Sequence, residues 1–343
     1  MSILHFESDY LEGAHPLILQ RLMQTNLEKT PGYGLDEYTA AAKAKIRAAC
    51  ACPDADVWLL EGGTQTNATV IDGLLRAYQG VIAAQTGHIN VHEAGAIEAS
   101  GHKVLALPHH DGKISAQDVR SYVAAFNADT SCEHEVAPGM VYISHPTEYG
   151  TLYTKEELTD LGTACRENGL PLYLDGARLG YGLAADTTGV TLQTIASLCD
   201  VFYIGGTKVG ALFGEAVVVT KPSLLPHFFT IIKQHGALAA KGRILGIQFD
   251  TLFTDNLYRT ISDNAVRLAL KIRDSLKQKG FRFYIDSPTN QQFIIVENEQ
   301  LRRLEQTVVC SIWEPYDSTH TVIRLATSWA TKEEDVDELL KQF

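Results

Sequence analysis

No run in this chain approaches the roughly 18 apolar residues of a helical membrane span, so no membrane segment is expected. Positive charge is also in deficit. Lysine and arginine number 29 against 41 acidic residues, a net charge of -12. A nucleic-acid binder needs a basic face, so that class is disfavoured. Anions remain possible ligands, because glycine loops and single arginines can bind them. The six cysteines are scattered, and only Cys50 and Cys52 lie close together. Without a second pair, neither a disulfide framework nor a zinc knuckle is indicated. The start, MSILHFESDYLEGAHP, carries acids and lacks a sustained apolar core, so no secretory or transit segment is expected. A reduced, cytoplasmic protein follows. There is no internal repeat and no low-complexity linker. A metal is not expected either. His88 and His92 are spaced i, i+4 with Glu93 beside them, but Ala96 stands where the pattern H-E-x-x-H needs its second histidine.

What is present is ordinary globular composition: 343 residues, 45% hydrophobic and 20% charged. That length exceeds what one core usually organises, so two domains are expected. Short apolar runs alternate with helical periodicity. VWLL, VIAA, KVLAL, MVYIS, PLYLD, VFYIGG and EAVVVT read as strands. TQTNATVIDGLLRAY has Ala68, Ile71, Leu75 and Tyr78 at helical spacing. TKEELTDLGTACRENG opens on a capping box, Thr154 with Glu157, and closes at Gly169. LQTIASL is another helix. Such alternation predicts an α/β fold, with a mostly parallel mixed sheet covered by helices in a large domain, residues 1–250, which includes the N-terminal arm. Beyond about Asp250 come a long helix, DNAVRLALKIRDSLKQKG, then FRFYID, QQFIIVE, a short helix, TVIRLATSW and a terminal helix. That pattern predicts a smaller α+β domain, residues 251–343.

Ligands of open α/β sheets bind beyond the carboxyl ends of the strands, so the residues following each strand carry the argument. After VWLL comes Glu61-Gly62-Gly63-Thr64, opening a helix. The amides of Gly63 and Thr64 and the threonine hydroxyl suit a phosphate; a plain strand-to-helix turn reads the same way. After PLYL comes Asp175-Gly176-Ala177-Arg178. A carboxylate at that edge is costly unless paired. It is tied to Arg178, serves as an N-cap, or faces a protonated ring nitrogen and leaves Arg178 for a second anion. After VFYIGG comes Thr207-Lys208, with Gly205, Gly206 and Gly210 leaving room beside the backbone. The alternatives are an exposed turn lysine and a desolvated nucleophile of lowered pKa. His88 offers a flat ring for stacking, whereas His92 reads as a surface or capping side chain. Taken together, these are an anion cradle, a flat ring, a carboxylate and an amine. Pyridoxal 5'-phosphate needs that set.

GGTQTN, HINVHEAGA, LYLDGARL and GGTKVGALFG together resemble the threonine aldolase and aromatic amino acid β-eliminating lyase family, of the aspartate-aminotransferase-like fold. The resemblance runs from ESDY to VIRLATSW. It implies Gly63 and Thr64 as phosphate ligands, His88 stacking on the cofactor ring, Asp175 on the ring nitrogen and Lys208 as the covalent anchor. It implies Ser8, Arg178 and Arg324 as contacts of a substrate carboxylate. Thr207 stands where the family usually has a serine and keeps the hydroxyl. A basic phosphate contact falls on Lys241, or on Arg243 if the alignment shifts. Glu148 in HPTEYG stands where the family commonly has a second active-site histidine, with His145 three residues earlier. Facing an anionic cofactor and substrate, Glu148 is expected to have a raised pKa.

The activity so implied is retro-aldol cleavage of β-hydroxy-α-amino acids of the threonine type to glycine and an aldehyde. The proton acceptor is His88, Glu148 or a water. β-Elimination and transamination on the same scaffold are the nearer alternatives, and a non-catalytic cofactor-binding protein is the more distant one. The partner is a small amino acid, and the resemblance implies a homotetramer, or a dimer, with sites at the interface.

Overall fold

Apolar runs of four to eight residues, bounded by turns, become strands because two helical layers cover them. The computed structural model describes residues 3–185 and 187–343. The N-terminal arm forms β1 (Leu4–His5). The large sheet takes β2 (Asp56–Leu60), β3 (Gln79–Ala84), β4 (Val104–Leu107), β5 (Ala137–Ser144), β6 (Leu172–Asp175), β7 (Val201–Gly205) and β8 (Glu215–Val219). Its seven strands lie in the order β2-β8-β7-β6-β5-β3-β4. β8 runs antiparallel to β2 and β7, and the remaining pairs are parallel.

Strand periodicity then sorts the side chains. On β6, Leu172 and Leu174 join one apolar core, and Tyr173 joins the opposite one with Tyr142 of β5 and Tyr203 of β7. Successive residues alternate faces. Asp175, two after Tyr173, therefore shares the tyrosine face, at the strand's carboxyl end.

The C-terminal layer holds β9 (Arg282–Ile285), β10 (Gln291–Glu297), β11 (Val308–Val309), β12 (Ser311–Pro315) and β13 (His320–Ala326). Four of these form an antiparallel sheet ordered β12-β13-β10-β9. Leu268, Ile272 and Leu276 of the helix Leu257–Gln278 pack on Ile294, Ile323 and Leu325. The arm, grouped with the large unit from sequence, makes its strand contact with this layer: β1 pairs parallel with β11, and Phe6 is buried in the same core. Burying Phe6 favours this attachment by about 1.5–3 kcal/mol. The arm thereby carries Ser8, Asp9 and Tyr10 across to the carboxyl edge of the large sheet.

Two helices differ from expectation. The one expected to reach Tyr78 spans Gly63–Leu74, because Leu75 turns extended and packs against Gly139. The long C-terminal helix begins at Leu257, since Tyr258 and Ile261 continue its buried stripe toward Ala265. The capping box of Thr154 and Glu157 is present as read, with both reciprocal bonds formed. β1, β11 and β12 carried no sequence signal.

Candidate active site

Asp175 ends β6 nearly inaccessible to solvent, and its carboxylate is saturated with donors. Tyr203 Oη (2.5 Å) and the Ala177 amide (3.0 Å) donate to Oδ1, while Tyr142 Oη (2.7 Å) and Asn67 Nδ2 (2.9 Å) donate to Oδ2. Burial alone would push its pKa up. The His88 charge and the bonds from Tyr203, Tyr142 and Asn67 outweigh that and hold it below the ordinary range. An ionised carboxylate is thus fixed beneath the site, suited to a cationic N–H.

Asn67 links this carboxylate to the histidine wall. Its Nδ2 also donates to Glu93 Oε1 (2.7 Å), and its Oδ1 accepts from Tyr173 Oη (2.8 Å). Glu93 Oε1 in turn accepts from His88 Nδ1 (2.7 Å), which orients the imidazole. The His88 amide donates to Glu148 Oε1 (2.9 Å), and Ser144 Oγ donates to the same oxygen (2.6 Å). Glu148 has its pKa raised as expected, but burial is the leading cause and the Asp175 charge a lesser one.

Lys208 follows β7 and lies against Tyr10, its Nζ 5.8 Å from the ring centroid. Burial first, and then Arg178, pull its pKa down to about 8 against the opposing pull of Asp9, Asp175 and Glu215. An exposed turn lysine is therefore not what the structure contains. The glycines before it serve the protein itself rather than a flat ligand. A Cβ at Gly205 would come 2.3 Å from the Ala177 carbonyl oxygen, and one at Gly206 would come 2.7 Å from that of Gly214.

Arg178 is paired with Asp9 of the arm, not with Asp175. Nε meets Asp9 Oδ2 at 2.6 Å and Nη2 meets Oδ1 at 3.0 Å, with Asn290 Nδ2 supporting Asp9 at 2.9 Å. Burial opposes ionisation of Asp9, but Arg178 and Lys208 bring its pKa down to about 2. Arg324 of β13 donates to Gln291 Oε1, Glu7 O and Ser311 Oγ. Its Nε is buried without an acceptor, and burial, then Arg178, lower its pKa to about 10. Ser8 Oγ and Thr86 Oγ1 are likewise buried and unpartnered among the described residues. Unmade bonds of this kind cost free energy until a ligand fills them.

These groups converge on a cavity of about 580 Å³ whose lining includes Tyr10, His88, His92, Glu148, Lys208 and Arg324. Arg178 and Thr86 also border it.

A family model for beta-eliminating lyases matches residues 5–309. This chain belongs to the beta-eliminating lyase family. The lyase is 30% identical over 266 residues to the low specificity L-threonine aldolase of Pseudomonas aeruginosa, covering 77% of this chain and 75% of that protein. It superposes on a solved Leishmania major threonine aldolase with a TM-score of 0.95, at 42% identity over 98% of each chain. A Thermus thermophilus aspartate aminotransferase mutant shares the fold alone, with a TM-score of 0.72 at 14% identity over 100% of this chain and 91% of that one.

In this lyase the residues singled out for the phosphate lie outside the cavity lining. Gly63 and Thr64 open the helix Gly63–Leu74, which has no side-chain cap; its first inward backbone bond runs from the Thr66 amide to Gly62 O. Gly63 adjoins Tyr203, the Asp175 donor. Thr207 Oγ1 donates to Glu215 Oε1 (2.8 Å) and accepts from the Gly214 amide (2.9 Å). Glu215 is buried, which pushes its pKa up. Lys241 is exposed just ahead of the helix Arg243–Leu252. Arg243, the other alignment, is occupied by the carbonyls of Thr25 and Glu28 and does not face the site.

Sequence reading missed Asp9, Asn67, Glu93, Tyr142, Tyr203 and Glu215. Only Glu93 left a trace, as a fragment of a metal motif. Asp9, Asn67, Tyr142 and Tyr203 meet partners far away in sequence, so no local spacing could show them, whereas Glu215 bonds Gly206 and Thr207 across the turn between β7 and β8.

Proposed function

We propose that this lyase is a pyridoxal-phosphate-dependent aldehyde-lyase that cleaves threonine-type β-hydroxy-α-amino acids to glycine and an aldehyde. The observation that carries this is Lys208 on the cavity wall beside unpartnered buried donors on Ser8, Thr86 and Arg324. The donor set fits the cofactor. When bound, pyridoxal phosphate supplies an aldehyde for amines and an electron-accepting ring. Lys208 would hold it covalently, Asp175 would accept its ring N–H, and His88 would cover one ring face. The uncapped amides of Gly63 and Thr64 would receive the phosphate just outside the cavity lining, with Lys241 as its cation, and Thr207 would join them only by turning its hydroxyl from Glu215.

A substrate carboxylate would be taken by Ser8 Oγ, Arg324 Nε and the part of Arg178 that Asp9 does not hold. Fixing that carboxylate sets which bond at Cα lies across the ring, which decides the reaction. Glu148, with Oε1 bonded to the His88 amide and Ser144, anchors the histidine segment; that geometry supports positioning of His88 over direct proton transfer.

We further propose the division into 1–250 and 251–343, and self-association into a homotetramer or a dimer. Exposure of Met23, Leu27 and Leu35 along the N-terminal segment supports the latter. All six cysteines are unpaired, which supports a cytoplasmic location. Among the described residues no helix is long and apolar enough to cross a membrane.

The deciding experiment incubates the loaded protein with threonine, allo-threonine and phenylserine and measures glycine, aldehyde and ammonia separately. Glycine and aldehyde in equal amounts are expected. Ammonia with a keto acid would favour β-elimination, and stable cofactor absorbance without turnover would favour a binding protein.

A further inference from the structure

His92, taken from sequence as a surface or capping side chain, is part of the cavity wall. One helical turn, His88–Val91, brings it there. His92 caps that turn, its amide bonded to His88 O, and its ring lies 5.6 Å from that of His88 at 53° between planes. The two imidazoles are used differently. His88 Nδ1 is committed to Glu93. Neither ring nitrogen of His92 has a hydrogen-bond partner among the described residues, so both are available to a ligand in the cavity.

The other groups that could accept a proton are engaged at least in part. Glu148 Oε1 already takes two hydrogen bonds. His145 is fully buried away from the cavity, and its Nδ1 accepts from the Tyr153 amide. Lys208 is reserved for the cofactor.

Burial and the surrounding cations both favour the neutral form of His92. Burial lowers its pKa first, followed by His88 on the same turn, Arg324 of β13, Arg178 after β6 and Lys208 after β7. Glu148 and Glu314 are the carboxylates on the same cavity wall. A neutral imidazole with free nitrogens can take a proton near neutral pH.

We propose that His92 accepts the proton of the substrate β-hydroxyl during carbon–carbon cleavage, an inference that rests on the aldol reading above. The hydroxyl proton moves to a ring nitrogen of His92, and the O–H electron pair becomes the second bond of the aldehyde carbonyl. The Cα–Cβ bond breaks, leaving its pair on Cα. Cα then takes up one proton and the imidazolium releases one to water, so threonine gives glycine and acetaldehyde with no net proton change.

The test compares wild type, His92→Asn and His92→Ala as loaded full-length proteins. Two rates are measured: glycine release from threonine, and exchange of the glycine α-proton with solvent, which involves no hydroxyl. In both variants kcat for threonine should fall about 10²-fold or more, while KM and glycine exchange stay near wild type. Added imidazole should restore cleavage by His92→Ala. In the cofactor-free protein, the imidazole NMR signal lost in His92→Asn should titrate below the ordinary histidine range. Wild-type cleavage by His92→Asn, or equal loss of cleavage and exchange without imidazole rescue, overturns the role of His92 alone. A wild-type protein that exchanges glycine but cleaves none of the β-hydroxy amino acids overturns the aldol reading and this role with it.

Discussion

At the scale of single residues, the site holds one group ionised and makes another easy to deprotonate. Asp175 stays ionised because the His88 charge and the bonds from Tyr203, Tyr142 and Asn67 outweigh its burial, and Lys208 loses its proton readily because burial and Arg178 penalise its charge. The two give separate expectations. Below its pKa Lys208 is protonated and unreactive, so modification of the cofactor-free protein by an amine reagent should be half-developed near pH 8 at this residue, as followed by peptide mapping. Development near the ordinary lysine value instead would show that the pocket does not desolvate it. Asp175→Asn should retain cofactor, because the amide still fits among its neighbours. It should lose most turnover, because an amide cannot keep a ring nitrogen protonated; absorbance and kcat together check this, and near-normal kcat would make Asp175 structural. Asp9→Asn leaves the Arg178 charge without its partner, and breaking a buried pair from one side costs about 3–5 kcal/mol. The denaturation midpoint should drop accordingly, and KM for the amino acid should rise as Arg178 loses its orientation. The Asp9 pKa lies below its unfolded value. Its stabilisation is therefore complete above about pH 4 and is lost as pH falls through about 2.

At the scale of elements, the site depends on two segments meeting at the carboxyl edge of the large sheet. One is the turn after β7, whose Gly205 faces the Ala177 carbonyl with no space for a methyl group. Gly205→Ala should therefore displace both Lys208 and the Asp175 loop. The expected signs are a lower melting temperature and weak cofactor retention, and a variant with normal stability and absorbance would show that the turn can shift. The other is the N-terminal arm. It is held by Phe6 in the C-terminal core and by the Ala326 amide bonding Phe6 O (2.8 Å). Phe6→Ala should cost about 3–5 kcal/mol. Since Ser8, Asp9 and Tyr10 ride on the same segment, KM should rise in that variant more than cofactor affinity falls.

At the scale of the whole molecule, a chain of net charge -12 presents cationic groups inward at one cavity, where Arg178, Lys208 and Arg324 gather. The overall sign disfavours nucleic acid but does not exclude a small anion, and the local field favours a carboxylate. The apolar N-terminal surface suggests association. Replacing Leu27, which is 91% exposed, by Asp should leave the monomer fold intact and shift light scattering to smaller species. An unchanged mass would place the interface elsewhere.

The sequence alone determined the alternation of strand and helix, the α/β class, and the residues Gly63, Asp175 and Lys208 at strand ends. Those signals are local: apolar runs, turn residues and a polar group just past each run. It could not determine which charges pair. Arg178 has Asp175 three residues away and takes Asp9 instead, 169 residues distant, because the arm is drawn across by β1 and Phe6. The same limit hid the tyrosines and Asn67 around Asp175, whose partners lie on neighbouring strands. It also hid the place of His92, since a single turn decides whether that ring faces water or the cavity. Only the tertiary structure set these, because desolvation and pairing depend on what the folded chain brings within a few ångströms, and adjacency in sequence does not encode that.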